Sequence, residues 1–247
     1  MQNRWFYTLA PPALLIFSWQ LLALVINSAL LPAPFEVFSV LWQAITTGEL
    51  LPNLGITLAR LLVSFFIAMT IGTAIGIILG LRKPLDRFFD SWLIIFLNIP
   101  ALVTIILCYV WFGLTEAAAI LAIVINKLPN VVVTLREGTR ALNKDYFEMA
   151  ESYNFSRAKI IKHVILPQLH PFLIAAARSG LALIWKIVLV VELLGRSDGM
   201  GYQLHLFFQL FDVASIMAYT IAFVTVIQMI ELIILKPLDR RAQRWRR

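Results

Sequence analysis

His163, His170 and His205 are the only histidines in the chain. A metal site carried on a helix needs ligands three or four residues apart on one face. None of these three is so spaced and no cysteine cluster accompanies them, so no metal site is expected. Ser179-Gly180 and Ser197-Asp198-Gly199 offer hydroxyls without a base partner at a usable spacing, so no catalytic residue is assigned. The phosphate-cradling pattern G-x-x-x-x-G-K-[ST] does not occur, and the chain is expected to bind no cofactor of its own. Cys108 lies in an apolar run and, being the one cysteine, forms no internal disulfide. What remains is charge in apolar surroundings. Lys186 stands beside Trp185 in the middle of a long apolar run, where a lysine costs at least about 2.5 to 3.5 kcal/mol. Two readings of it stay open: an ion pair with another helix, Glu231 being the candidate, or a cation lining a passage for an anionic solute, with Trp185 and Glu192 as its neighbours. Glu192 is six residues further on, about 240° around a helix, and is a poor partner for Lys186 within its own helix. Arg178, nearer one end of the same run, is expected to snorkel toward water.

These groups are positioned by a chain that lipid must solvate. Apolar residues make up 60% of the 247 and charged residues 14%, and the mean hydropathy is +0.84. A water-soluble globule would leave much of that apolar surface wet, and a disordered chain would lack it. A bilayer core about 30 Å thick takes about 20 helical residues to cross. Six apolar runs reach that length: Ala13 to Leu31, Ile56 to Leu81, Trp92 to Phe112, Leu114 to Leu135, Phe172 to Leu194 and Val213 to Leu235. The expectation is one all-α, polytopic membrane domain over 1–247 with six transmembrane helices. Basic residues collect on one side of these runs, at Arg82, Lys83 and Arg87, at Arg136, Arg140, Lys144, Arg157, Lys159 and Lys162, and in the tail from Lys236. The opposite side carries Glu36, Glu49, Glu116, Glu192, Asp198 and Asp212 against Arg196 alone. Short basic loops stay in the cytoplasm, which places both termini there. The basic tail is read as a cluster held against anionic lipid, not as a nucleic-acid site.

Within the second run Ser64, Ala68, Gly72, Gly76 and Gly80 recur every fourth residue, a stripe of small side chains against which another helix packs closely. Packing inside one subunit is favoured over a subunit interface. Pro100 and Pro129 interrupt the third and fourth runs, and kinks are expected at both.

The segment 136–171 is longer than a simple turn requires. Asn143 caps a helix over Lys144 to Tyr153 with Asp145 in its first turn, and Asn154 suits the left-handed residue that ends it. Ser156 caps a second, amphipathic helix, with Ile160, Ile161, Val164 and Ile165 on one side, and Pro167 is expected to stop it. On periodicity alone this helix could simply lie on lipid.

Glu148-Met149-Ala150, three residues, Asn154, nine residues, then Val164-Ile165-Leu166-Pro167 resembles the EAA loop of ABC-importer permeases, with Met149, Asn154 and Val164 in place of Ala, Gly and Ile. Val190-Val191-Glu192-Leu193 with Gly199-Met200-Gly201-Tyr202, and Thr57-Leu58-Ala59-Arg60 with the glycine stripe, are similar to elements of the permeases for nitrate, sulfonate, taurine and bicarbonate. The resemblance implies the type I ABC importer permease fold, in a bacterial inner membrane, and no enzymatic activity in this chain. It also implies an ATPase-coupling helix in which Asp145, Glu148, Met149, Ala150 and Tyr153 take part, Asn154 forming its turn and Leu166-Pro167 the return to the membrane. The partners it implies are a second copy of the chain, two ABC ATPase subunits that carry the ATP and Mg, an extracytoplasmic substrate-binding protein and the bilayer. Alternatives are a permease for an aromatic carboxylate or vitamin precursor, a membrane scaffold that transports nothing, and an intramembrane enzyme.

Overall fold

The computed structural model describes residues 4–235 and 237, and among them all regular structure is helical. The basic tail, Lys236 and Arg240 to Arg247, lies outside the described residues apart from Pro237. Chain order runs α1 (Arg4–Ile26), α2 (Pro34–Thr46), α3 (Leu50–Leu81), α4 (Lys83–Asn98), α5 (Ala101–Phe112), α6 (Glu116–Arg140), α7 (Lys144–Ser152), α8 (Arg157–Ile160), α9 (Leu166–Gly195), α10 (Met200–Gln209) and α11 (Val213–Ile230).

Four helical runs among the described residues are long and apolar enough to cross a membrane: Leu50–Leu81, Glu116–Arg140, Arg157–Gly195 and Val213–Ile233. A fifth arises if α4 and α5 count as one broken span. They meet at a 94° bend, so the expected third span, Trp92 to Phe112, is sharply broken at Pro100, where a kink was expected. The cause is local: Pro100 donates no backbone N–H and biases Ile99 away from helix, where φ is −68° and ψ 124°. Of the first expected span, the described apolar part is the shorter helix Ala10–Ile26. Pro129, by contrast, does not interrupt α6, which continues through it to Arg140. Two short helices were not anticipated, α2 and α10, and both pack beside α11.

Termini are set by short polar side chains. Thr115 Oγ1 accepts from Ala118 N at 3.2 Å to open α6, and Asp212 Oδ1 accepts from Ser215 N at 3.0 Å to open α11. Such caps satisfy donors that lipid cannot.

The most extensive helix pair is α3 against α6, and the small-residue stripe is its seam. A Cβ on Gly72 would sit 2.7 Å from Val131 Cβ, on Gly76 2.7 Å from Leu135 Cβ, and on Gly80 2.5 Å from Thr139 Cβ. The stripe thus packs within one subunit, and Ser64 and Ala68 continue it, both fully buried. Only glycine permits this approach, because any side chain would meet the neighbouring helix. Helix α9 lies over the pair, with Ile184, Val188 and Val191 in a common core with Leu61, Ile105 and Ile123.

At one end, hereafter the α7 end, Arg136 bonds Asp86 at 3.3 Å and Asp90 at 2.6 Å, while Arg140 bonds Asp86 and also Glu137 at 2.8 Å. These pairs fasten α4 to α6 at that end of the bundle.

Candidate functional site

Three groups of residues stand apart from packing. The first is the segment at the α7 end. Asn143 Oδ1 accepts from Asp145 N at 2.9 Å, as expected of an N-cap. Tyr153 caps the other end and Asn154 turns the chain at φ 51°, the left-handed conformation its side-chain type tolerates. Phe155 N then donates to Ala150 O at 2.9 Å, closing the turn, and Lys159 Nζ lies 3.9 Å from the Phe155 ring centre. The helix is seated through Phe147, which packs on the cluster of Leu135, Ile165 and Leu169, and through Ala150, which is completely buried. Asp145, Glu148, Met149, Tyr153 and Asn154 are exposed, so α7 offers them as one free surface while Ala150 faces inward.

Pro167 does not end the following helix. A wide turn over Ile161–Ile165 joins α8 to α9, with Leu166 N bonding back to Ile161 O, and Pro167 falls in the first turn of α9. The wide turn takes up a residue that regular α-geometry could not, and a proline near a helix start loses no intrahelical bond. The run Arg157–Gly195 is therefore a continuous 39-residue helix. Ser156 caps it as expected, and Val164 and Ile165 are buried on its inner side. Leu166 and Pro167 are exposed where the wide turn passes into α9.

The second group lies at the opposite, α10 end. Arg60, 3% exposed, bonds Glu116 through Nε at 2.7 Å and Nη2 at 2.8 Å, Glu192 through Nη1 at 2.9 Å, and Asp198 through Nη2 at 2.5 Å. Glu192, wholly buried, also accepts from Thr57 Oγ1 and from Gly201 N, each at 2.9 Å. Met200 N donates to Thr57 Oγ1 at 2.8 Å and Gly199 N to Asn53 Oδ1 at 2.9 Å. Arg196 adds a contact to Glu116 at 3.1 Å. Gly199 is at φ 97°, and a side chain there would strike the Glu192 carboxylate. The sequence stretches around Thr57 and Arg60, around Glu192 and around Gly199 to Gly201, far apart in the chain, thus meet in one buried network. Charges this deep persist only when paired and hydrogen-bonded. Sequence reasoning missed the network; the available signal was that Arg60 and Glu192, each within an apolar run, both needed a partner.

The third group is on α9. Ser179, Ala182, Leu183, Lys186, Val190 and Leu193 follow helical spacing and are all exposed in the single chain. Lys186 Nζ lies 5.4 Å from the Trp185 ring. Glu231, the ion-pair partner considered for Lys186, stands instead 3.8 Å from Arg178, so Arg178 is paired and not merely snorkelling. Leu61, Arg178, Leu181, Ala182, Trp185, Ile227 and Glu231 border a cavity of about 90 Å³. Trp185, half-buried, borders the cavity, Lys186 stays on the exposed face outside it, and Glu192 lines no surface at all.

Comparison with known proteins agrees with this arrangement. Residues 68–244 match the family model of the binding-protein-dependent transport system inner membrane component. The chain is 29% identical over 244 residues to the "Putative aliphatic sulfonates transport permease protein SsuC" of Bacillus subtilis (strain 168), covering 98% of this chain and 88% of that one. It is 26% identical to the taurine transport system permease protein TauC of Escherichia coli (strain K12), over 94% and 87% of the two chains, and 23% identical to the nitrate import permease protein NrtB of Synechococcus elongatus, over 74% and 70%. In fold it is similar to an inward-facing MetNI methionine ABC transporter, with TM-score 0.66 at 19% identity over 80% of this chain and 96% of that one. A second solved structure, an amino acid ABC transporter with histidines, gives TM-score 0.61 at 21% identity over 81% and 97%. With that match covering most of the chain, this all-helical membrane protein belongs to the binding-protein-dependent transport system inner membrane component family, the permeases of ABC importers.

Proposed function

We propose that two copies of this chain form the pathway of an ATP-driven importer that carries a small anionic solute, a sulfonate, nitrate, bicarbonate or a similar ion, into a bacterial cytoplasm. The α7 end and both termini face the cytoplasm, where two ATPase subunits hold ATP and Mg, and an extracytoplasmic binding protein delivers the solute at the α10 end. The observation that carries this reading is α7 itself: a capped helix seated from below by Phe147 and Ala150, with Asp145, Glu148, Met149 and Tyr153 left free. A lipid-lying helix would turn its apolar side to the membrane, whereas this one buries it in its own protein and turns an acidic, aromatic surface to water. Closure of the ATPase pair favours one of two permease arrangements by contacting this surface differently in each.

Solute passes along the exposed α9 face, where Lys186 beside Trp185 supplies the positive charge. Glu192 holds the end of that helix from behind, through Arg60, and does not touch the solute. The test is copurification of a nucleotide-hydrolysing subunit with the detergent-solubilised chain. Wild type retains it and Glu148→Arg loses it; retention by Glu148→Arg, or no associated hydrolase with wild type, overturns the reading.

A further inference from the structure

Lys127 has no place in the reading so far. It lies midway along α6, its side chain is 1% exposed, and Nζ has no hydrogen-bond partner among the described residues. Ser64 Oγ on the facing helix is buried and unpartnered in the same way. The register of α3 on α6 brings the two near each other. Gly72, Gly76 and Gly80 meet Val131, Leu135 and Thr139 at one constant offset, which carried back sets Ala68 against Lys127 and Ser64 one turn away, against Ile123. Helix α9 closes the third side through Gly180, where a Cβ would lie 2.9 Å from Lys127 Cε, 3.5 Å from Nζ and 3.6 Å from Phe65 Cε2. Leu181, next to Gly180, and Leu61, one turn from Phe65, border the cavity of about 90 Å³ that also touches Trp185. An ammonium donates three hydrogen bonds and accepts none, and a hydroxyl can donate one more. Two buried donors of this kind at a three-helix junction call for a negatively charged acceptor.

We propose that Lys127 and Ser64 form an internal anion-binding point, closed in this arrangement and opening toward the neighbouring cavity when α9 shifts against α3 and α6, whose ligand is a small oxyanion group, sulfonate or nitrate, of the transported solute. The proposal rests on the importer reading above and adds the residues that recognise the solute inside the bundle. Burial without a partner destabilises the closed arrangement, and an oxyanion that reaches Lys127 stabilises the other, so the ligand shifts the balance between them.

The full chain in lipid nanodiscs tests this by its thermal midpoint in sodium nitrate, ethanesulfonate, chloride and gluconate at equal ionic strength, gluconate being much bulkier than the other three anions. Nitrate and ethanesulfonate raise the midpoint saturably over gluconate, and chloride does so less. Lys127→Met abolishes the rise, and Ser64→Ala raises the half-saturating concentration by about three- to tenfold, the worth of one hydrogen bond. No rise over gluconate, an equal rise with chloride, or an undiminished rise in Lys127→Met overturns the proposal. If Lys127→Met does not fold, an unchanged half-saturation in Ser64→Ala overturns it. Hydrolase copurification is read separately, so loss of the importer reading and loss of the anion point give different results.

Discussion

Arg60 reaches three carboxylates with one planar group, and two of them, Glu116 and Asp198, keep part of their surface in water while Glu192 keeps none. Removing the arginine therefore strands a wholly buried charge. Arg60→Met is expected to destabilise by about 3 to 5 kcal/mol, whereas Arg60→Met with Glu192→Leu loses less than the two single changes together, because each removes the other's stranded partner. Thermal or denaturant unfolding of the four proteins in one detergent checks this; strict additivity would show that the pair is not coupled. Lys186 poses the opposite case, an exposed cation on an apolar helix face. Lys186→Met is expected to reduce solute uptake in reconstituted vesicles while leaving hydrolase association intact, and unchanged uptake would remove it from the path. The reason Lys186 drew notice in the sequence and the Arg60 network did not is distance along the chain. A lone charge in an apolar run is visible locally, but contacts from Arg60 to Glu116 and Glu192 span 56 and 132 residues, and no local pattern encodes such a pairing.

Helices divide along the same line. Asn143, Asn154 and Ser156 act on their own neighbours, and each does what its side chain suggests. The seam of Ser64, Ala68, Gly72, Gly76 and Gly80 was readable because a four-residue repeat is itself a helical face. Its consequences are graded by position: Gly76→Ala would put Cβ 2.9 Å from Val132 O and 2.7 Å from Leu135 Cβ, forcing α3 and α6 apart at a cost of about 1 to 3 kcal/mol. Gly55→Ala, in open space on the same helix, is expected to be neutral or mildly stabilising by the same unfolding measurement. Asn154→Gly should leave folding unchanged, whereas Asn154→Val at φ 51° costs about 1 to 2 kcal/mol and weakens hydrolase copurification. Less was readable where two signals compete. Pro100 breaks its helix and Pro129 and Pro167 do not, since Pro129 is held by burial in α6 and Pro167 follows a wide turn. Short amphipathic α2 and α10 fell below the length at which an apolar run announces itself.

For the whole molecule, orientation is the quantity to measure. Cys108 is 2% exposed, so a water-soluble thiol reagent finds little background. With the α7 end in the cytoplasm, Tyr153→Cys is labelled only after the membrane is opened to the reagent, and Phe211→Cys, exposed at the α10 end, is labelled in intact cells; the reverse pattern would invert the topology. The unbroken helix from Arg157 to Gly195 gives that topology a mechanical meaning. Its 39 residues make a rod about 58 Å long, attached beside α7 at one tip and gripped through Glu192 near the other. From the wide turn onward the rod has little slack, so in the proposed orientation a displacement delivered at the α7 end would reappear as strain on Arg60 at the α10 end. Among the described residues of this rod, the wide turn at Ile161–Ile165 is the departure from regular α-geometry, so in the proposed mechanism stiffening it would sharpen transmission and loosening it would let the displacement dissipate before it reaches the α10 end.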